Sequence, residues 1–214
     1  MTGSTILSAE AALRVGVGSV KLVCSKKTLP IYSSKFPSVL KEEINNLNSF
    51  KKLVIREKKS IFLIGPGAGS NQLTKQKTKI ILKNTKYAVL DADALTCFKK
   101  NPSELYKLLD KNKVITPHPQ EFHLIFPSIQ KSLNSKEKIL KAIRLTKTNI
   151  VLKGSTTLIG SYNGNIVYNK HTSSELAVIG SGDVLSGLIA SLIGKNKMDP
   201  FLASCAGVWT HGDI

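Results

Sequence analysis

Three cysteines, three arginines and one tryptophan in 214 residues set the first limits on this chain. Cys24, Cys97 and Cys205 are odd in number, far apart and never in CxxC spacing. They make neither a disulfide framework nor a zinc knuckle, and they suit the reducing cytoplasm. No apolar run approaches the roughly 18 residues that span a bilayer, and no charged segment followed by an apolar one marks a secretory leader, so no membrane partner is expected. The shortage of arginine matters because the formal net charge is +17, nearly all of it lysine. Lysine is a hydrated, solubilising charge, whereas bidentate recognition of phosphate and guanine is arginine chemistry. Aromatics make up 6% of the chain and do not interleave with the lysines as base-stacking platforms do. Nucleic acid is therefore not an expected partner. A field that favours an anionic small ligand is.

Repeats, low-complexity tracts and Pro/Gly/Ser linkers are also missing, so residues 1–214 read as a single domain with enough apolar content, 42%, to bury a sizeable core. Short apolar runs alternate with helical patterns. Helices are expected over 5–15, 71–83, 135–147, 182–193 and 199–211; strands over 19–25, 60–65, 87–91, 114–116, 149–154, 156–161 and 165–169. A Tyr-Asn-Gly turn joins the last two strands as a hairpin. This alternation predicts an α/β fold of three αβα layers around a mainly parallel sheet, with ligands beyond the carboxyl ends of its strands. The pattern starts almost inside its first helix and stops inside its last, so edge elements are expected beyond both ends.

Several turns fall at that edge of the sheet. Gly180-Ser181-Gly182-Asp183 precedes an apolar helix, whose first amides and positive dipole end make an anion site. A carboxylate there can take a proton from a substrate hydroxyl while the amides hold developing charge. An acid in a first helical turn also simply stabilises the helix, and GSGD alone leaves both readings open. Gly65, Gly67 and Gly69 alternate, which fits neither a dinucleotide fingerprint nor a P-loop and leaves a bare backbone surface. His118 projects from a proline-stiffened loop after a strand, and Glu121 is either a helix acid or a contact to a metal-bound water. Asp91 and Asp93 close another strand; one of them can orient Mg²⁺ or a polar ligand, and Asp93 suits capping of the next helix. Lys153-Gly154-Ser155-Thr156-Thr157 offers an ammonium, hydroxyls and amides to a nucleotide phosphate or ribose.

In this order AALRVGVGSV, IGPGAG, VLDADAL, TPHPQEF, VLKGSTT, GSGDVLSG and AGVWTHG resemble the ADP/ATP-dependent NAD(P)H-hydrate dehydratases, a ribokinase-like family, along essentially the whole chain. The resemblance implies a hydro-lyase that repairs nicotinamide nucleotides: the hydrate's hydroxyl is phosphorylated from ADP or ATP with Mg²⁺, and the phosphate then leaves as the double bond re-forms. It places Ser4, Gly69, His118 and Asp183 against the hydrate, with Asp183 as the base. It places Lys153, Gly154, Ser155, Thr156, Thr157 and Gly182 against the adenine nucleotide, names no protein metal ligand, and points to a homo-oligomer. Gln120 stands where the family's PHPGE has glycine, and Gly16-Val17-Gly18-Ser19 where GAGL is usual. A strand and glycine loop at the amino end, and a longer carboxyl end, are family features without a counterpart here. A ribokinase-like small-molecule kinase and an inactive nucleotide-binding remnant are the competing expectations.

Overall fold

Central strands buried on both faces build the core. The structure, a computed structural model, describes residues 1–171 and 174–213. In chain order its elements are α1 (Thr2–Arg14), β1 (Lys21–Cys24), α2 (Leu29–Lys35), β2 (Leu40–Glu43), α3 (Leu47–Arg56), β3 (Phe62–Ile64), α4 (Gln72–Asn84) and β4 (Ala88–Leu90). There follow α5 (Asp93–Thr96), α6 (Ser103–Tyr106), β5 (Lys113–Ile115), α7 (Pro119–Ile125), α8 (Ser135–Thr146), β6 (Asn149–Leu152), β7 (Thr157–Gly160), β8 (Ile166–Asn169), α9 (Ser181–Asn196) and α10 (Pro200–Gly212). Strands β3 to β8 form one sheet in sequential order, and β1 and β2 form a separate parallel pair. The ladder is parallel from β3 through β6 and antiparallel across β6–β7–β8. The mainly parallel sheet and the terminal hairpin are as the sequence predicts.

Side chains leave successive strand positions on opposite faces. Ala88, Leu90, Ile115, Ile150 and Leu158 therefore join α3, α4, α7 and α8 in one core, while Val89, Val114, Val151 and Ile159 join α9 and α10 in another. The result is three layers. Four parallel strands deliver their following turns to one edge, and β7, running back against β6, begins at that same edge.

Helix α9 must bring its amino end there, and α1 holds it. Gly187 has no Cβ, and one would overlap the Ser8 carbonyl, so the two helices touch backbone to backbone. Ser8 Oγ donates to the Asp183 carbonyl at 2.9 Å and Ser191 Oγ to the Ala12 carbonyl at 3.0 Å.

The turn after β4 is strained. Ala92 sits at φ 45°, ψ −115°, a region that L-residues rarely occupy, between two aspartates that point to different partners. Replacing it with glycine relieves about 1–3 kcal/mol of strain against an unfolded-state entropy cost of about 0.4–1 kcal/mol. Ala92→Gly is therefore expected to raise Tm by about 2–4 °C in a calorimetric scan, and a lower Tm would contradict the strain.

Candidate active site

Gly180 caps α9 in the left-handed region, φ 96°, where a Cβ would overlap Leu7. No side chain caps this helix, so the first-turn amides of Gly182 and Asp183 have no intrahelical acceptor and face outward beside the positive dipole end. Ser181 Oγ is tied to His211 Nε2 at 3.1 Å; burial lowers the affinity of that imidazole for a second proton. Asp183 is half-buried. Its carboxyl is held above the ordinary range by burial, opposed by a hydrogen bond from the Ser4 side chain, raised further by Asp91 and lowered by Lys153. Ser4 reaches it because Ser4 and Ser8 lie one turn apart on α1 and share the face pressed against α9. These charged neighbours, Asp91 and Lys153, are far away in the chain and come to Asp183 only through the fold.

The second half of the site crosses the sheet. Strands β4 and β6 both flank β5, about 10 Å apart at normal strand spacing. From the end of β6, the Lys153 side chain reaches over β5 and meets Asp91 Oδ1 at 2.8 Å, with 18% and 1% of the two side chains exposed. Glu121 Oε2 lies 3.9 Å from the same ammonium. A Cβ on Gly182 would sit 3.2 Å from Lys153 Nζ, which places the ammonium directly under the first turn of α9. Burial pushes Glu121 up, and Lys153 and the hydrogen bond from the His118 amide pull it back. His118 is the N-cap of α7 rather than part of an irregular loop: Pro119 sets the first helical φ, His118 Nδ1 accepts from the Gln120 and Glu121 amides, and Glu121 returns to the His118 amide.

The glycine turn is held from the neighbouring strand. A Cβ at Gly65 (φ 129°) would overlap the Asp91 carbonyl, and Asp93 Oδ2 accepts from the Gly69 amide at 2.7 Å. Asp93 does not cap α5, whose N-cap is Ala92. In the 153–157 turn, the Lys153 amide donates to the Pro117 carbonyl at 3.0 Å. Thr157 is buried and its hydroxyl donates to Gly154, closing the turn from below, while Gly154 and Ser155 are exposed. Beside it opens a cavity of about 340 Å³ lined by Phe122, His123, Ser135, Lys138 and residues 153–156, at the lower end of the size of ligand pockets.

The turns carrying Gly69, His118, Lys153–Thr157, Gly182 and Asp183 thus share one edge, with Ser4 brought to Asp183 by α1. Asp91, Asp93 and Glu121 add structural roles. Motif reading recognises Asp91 and Asp93 as strand-end acids and Glu121 as a helix acid or a contact to a metal-bound water, but the pairing of Asp91 with Lys153 spans 62 residues and needs the strand order to be seen. Among the described residues no group of three or more His, Cys, Asp or Glu side chains is placed to hold a metal ion. No helix of the structure is long and apolar enough to cross a membrane.

The family model described as NAD(P)H-hydrate dehydratase matches residues 1–214. The chain belongs to the NAD(P)H-hydrate dehydratase family. It is 32% identical over 219 aligned residues to the ADP-dependent (S)-NAD(P)H-hydrate dehydratase of Neisseria meningitidis, covering 99% of this chain and 71% of that one. It spans only 39% of the bifunctional NAD(P)H-hydrate repair enzyme of Escherichia coli, to which it is 30% identical. The solved ADP/ATP-dependent NAD(P)H-hydrate dehydratase of Bacillus subtilis, co-crystallised with ATP/Mg²⁺, superposes with a TM-score of 0.77 at 25% identity, over 100% of this chain and 75% of that one. A ribokinase-like protein of Enterococcus faecalis gives 0.82 at 22% identity over 98% and 72%. The dehydratase fold here is therefore ribokinase-like, as the motif order implied.

Proposed function

We propose that this family member dehydrates NAD(P)H hydrate at the expense of ADP or ATP, with Asp183 as the base. The observation that carries the proposal is the position of Asp183: a carboxylate kept basic by burial, in the same helical turn as outward-facing amides and above the Lys153 ammonium. The hydrate hydroxyl gives its proton to Asp183 as its oxygen takes the terminal phosphoryl group of the nucleotide. The Gly182 and Asp183 amides and Lys153 hold the charge that builds on the transferred group. Phosphate then departs with the C–O electron pair as the ring nitrogen's lone pair forms a C=N bond, and transfer of the neighbouring C–H proton to water or the departing phosphate converts it to the C=C bond. Ser4, Gly69 and His118 border the hydrate, and Lys153 to Thr157 with Gly182 border the nucleotide.

Magnesium fits this site as an ion carried by the nucleotide. Asp91, Asp93, Glu121 and Asp183 stand against one ammonium, Lys153, so the edge of the sheet is locally negative in a chain whose net charge is +17. The carboxylates do not converge into a cage, which suits an ion that keeps its waters and binds mainly through phosphates. Glu121 is the carboxylate that would border it, and the ion's chemistry there is neutralisation of phosphate charge.

The test is to incubate the protein and Mg²⁺ with NADH hydrate and either ADP or ATP, and to follow recovery of reduced-nicotinamide absorbance. Recovery that requires nucleotide supports the dehydratase. A stable phosphorylated alcohol without recovery would make the protein a kinase, and no turnover by a folded sample would make it a remnant.

A further inference from the structure

We infer that His118 serves the site as a fixed hydrogen-bond donor, its Nδ1 committed to capping α7 and its Nε2 carrying the proton. The inference rests on the proposed placement of the hydrate beside His118, and its first half is independent of it. Two backbone amides aim at one ring nitrogen: Gln120 N lies 3.2 Å and Glu121 N 3.4 Å from His118 Nδ1. An amide can only donate, so Nδ1 must offer a lone pair. In a neutral imidazole the proton then sits on Nε2. On the far side of the ring Nε2 lies 3.4 Å from Glu121 Oε1 without a hydrogen bond to it, which leaves its proton available to a ligand. The Glu121 carboxylate accepts from the His118 amide at 2.9 Å, so the glutamate braces the residue at its backbone.

Histidine is an unusual N-cap, since serine, threonine, aspartate and asparagine dominate that position. Any of them would close α7. What histidine adds is a second nitrogen beyond the cap, on a side chain 43% exposed at the edge of the cleft. An N–H presented in that way recognises an oxygen acceptor on the bound hydrate, a carboxamide or phosphate oxygen, and cannot take a proton from carbon or from a hydroxyl. The acid–base work therefore falls to Asp183. Glu121 is a positioning residue for this donor, acting through the His118 amide and its own amide on Nδ1.

Ring-¹⁵N spectra of the full, unliganded chain test the tautomer, with the His118 signals assigned by their loss in His118→Asn. The expected result is an unprotonated Nδ1 and a protonated Nε2. A proton on Nδ1 would overturn the inference and leave the dehydratase reading untouched. The same variant reads the donor role, because asparagine keeps the capping acceptor but withdraws the distal N–H. His118→Asn is expected to hold Tm within about 2 °C, to raise KM for the hydrate about tenfold and to leave kcat within about threefold. His118→Ala, which loses the cap as well, is expected to show the same KM with a lower Tm. A collapse of kcat in His118→Asn at unchanged KM would make His118 an acid–base group and defeat the inference. An inactive unmodified protein would count against the dehydratase reading alone, since the tautomer is measured without substrate.

Discussion

Asp183→Asn is expected to cut nicotinamide recovery by about 10²- to 10⁴-fold while leaving the fold intact. Asparagine preserves the volume and can still accept the hydrogen bond from Ser4, so what disappears is the ability to take the hydroxyl proton. The direction of its stability effect follows from the raised carboxyl. A carboxyl whose folded-state pKa lies above its unfolded value favours folding while protonated, and that contribution is lost as pH rises through the folded value. At neutral pH the unmodified protein therefore carries an ionised carboxylate in a place that disfavours it. The Tm of Asp183→Asn is expected to equal or exceed that of the unmodified protein at neutral pH, with the difference closing as pH falls. In the same way, the acid limb of kcat/KM is expected at higher pH than an exposed aspartate would give, and the residual rate of the variant lacks that limb. A folded variant with undiminished recovery would remove Asp183 from the chemistry.

The parts of the site that the sequence announces are those made by backbone. Gly65, Gly67, Gly69 and Gly180 mark turns because their conformations or close approaches exclude a side chain, and such needs leave their mark in the chain itself. The alternation of Ala88, Val89 and Leu90 between two cores is legible for the same local reason. The stretch from Lys26 to Lys59 was not resolved into α2, β2 and α3. Strand β2 is Leu-Lys-Glu-Glu, with Leu40 exposed and three charges following, which reads as a loop. Helix α3 did carry its signals, an Asn46–Ser49 capping box and Phe50, Leu53 and Val54 at helical spacing, under a polar surface that masked them. Helix α7 is seven residues long with a histidine cap, too short for periodicity to reveal. The electrostatics of the site were the least legible part. Whether Asp91 faces water, metal or Lys153 depends on which strands are neighbours, and no local pattern encodes that.

Lys153→Met separates the pairing of that side chain with Asp91 from its proposed contact to phosphate. With the ammonium gone, Asp91 remains 1% exposed with no opposing charge at 2.8 Å, and stripping the partner from a buried carboxylate costs about 3 kcal/mol or more. For a chain of this length that lowers Tm by about 10 °C. Nucleotide affinity, measured by calorimetry with Mg²⁺ present, is expected to fall at least about tenfold, because the charge-assisted contact to phosphate goes with it. The double variant Asp91→Asn, Lys153→Met distinguishes the effects: replacing both members of a buried ion pair by neutral groups of similar size is close to neutral, so most of the lost Tm is expected to return. Nucleotide affinity is not expected to return, since nothing in the double variant restores a cation under the first turn of α9. A single variant as stable as the unmodified protein would show that Asp91 does not depend on this partner. A double variant that binds nucleotide normally would take Lys153 out of the phosphate site and leave it as a clamp between β4 and β6.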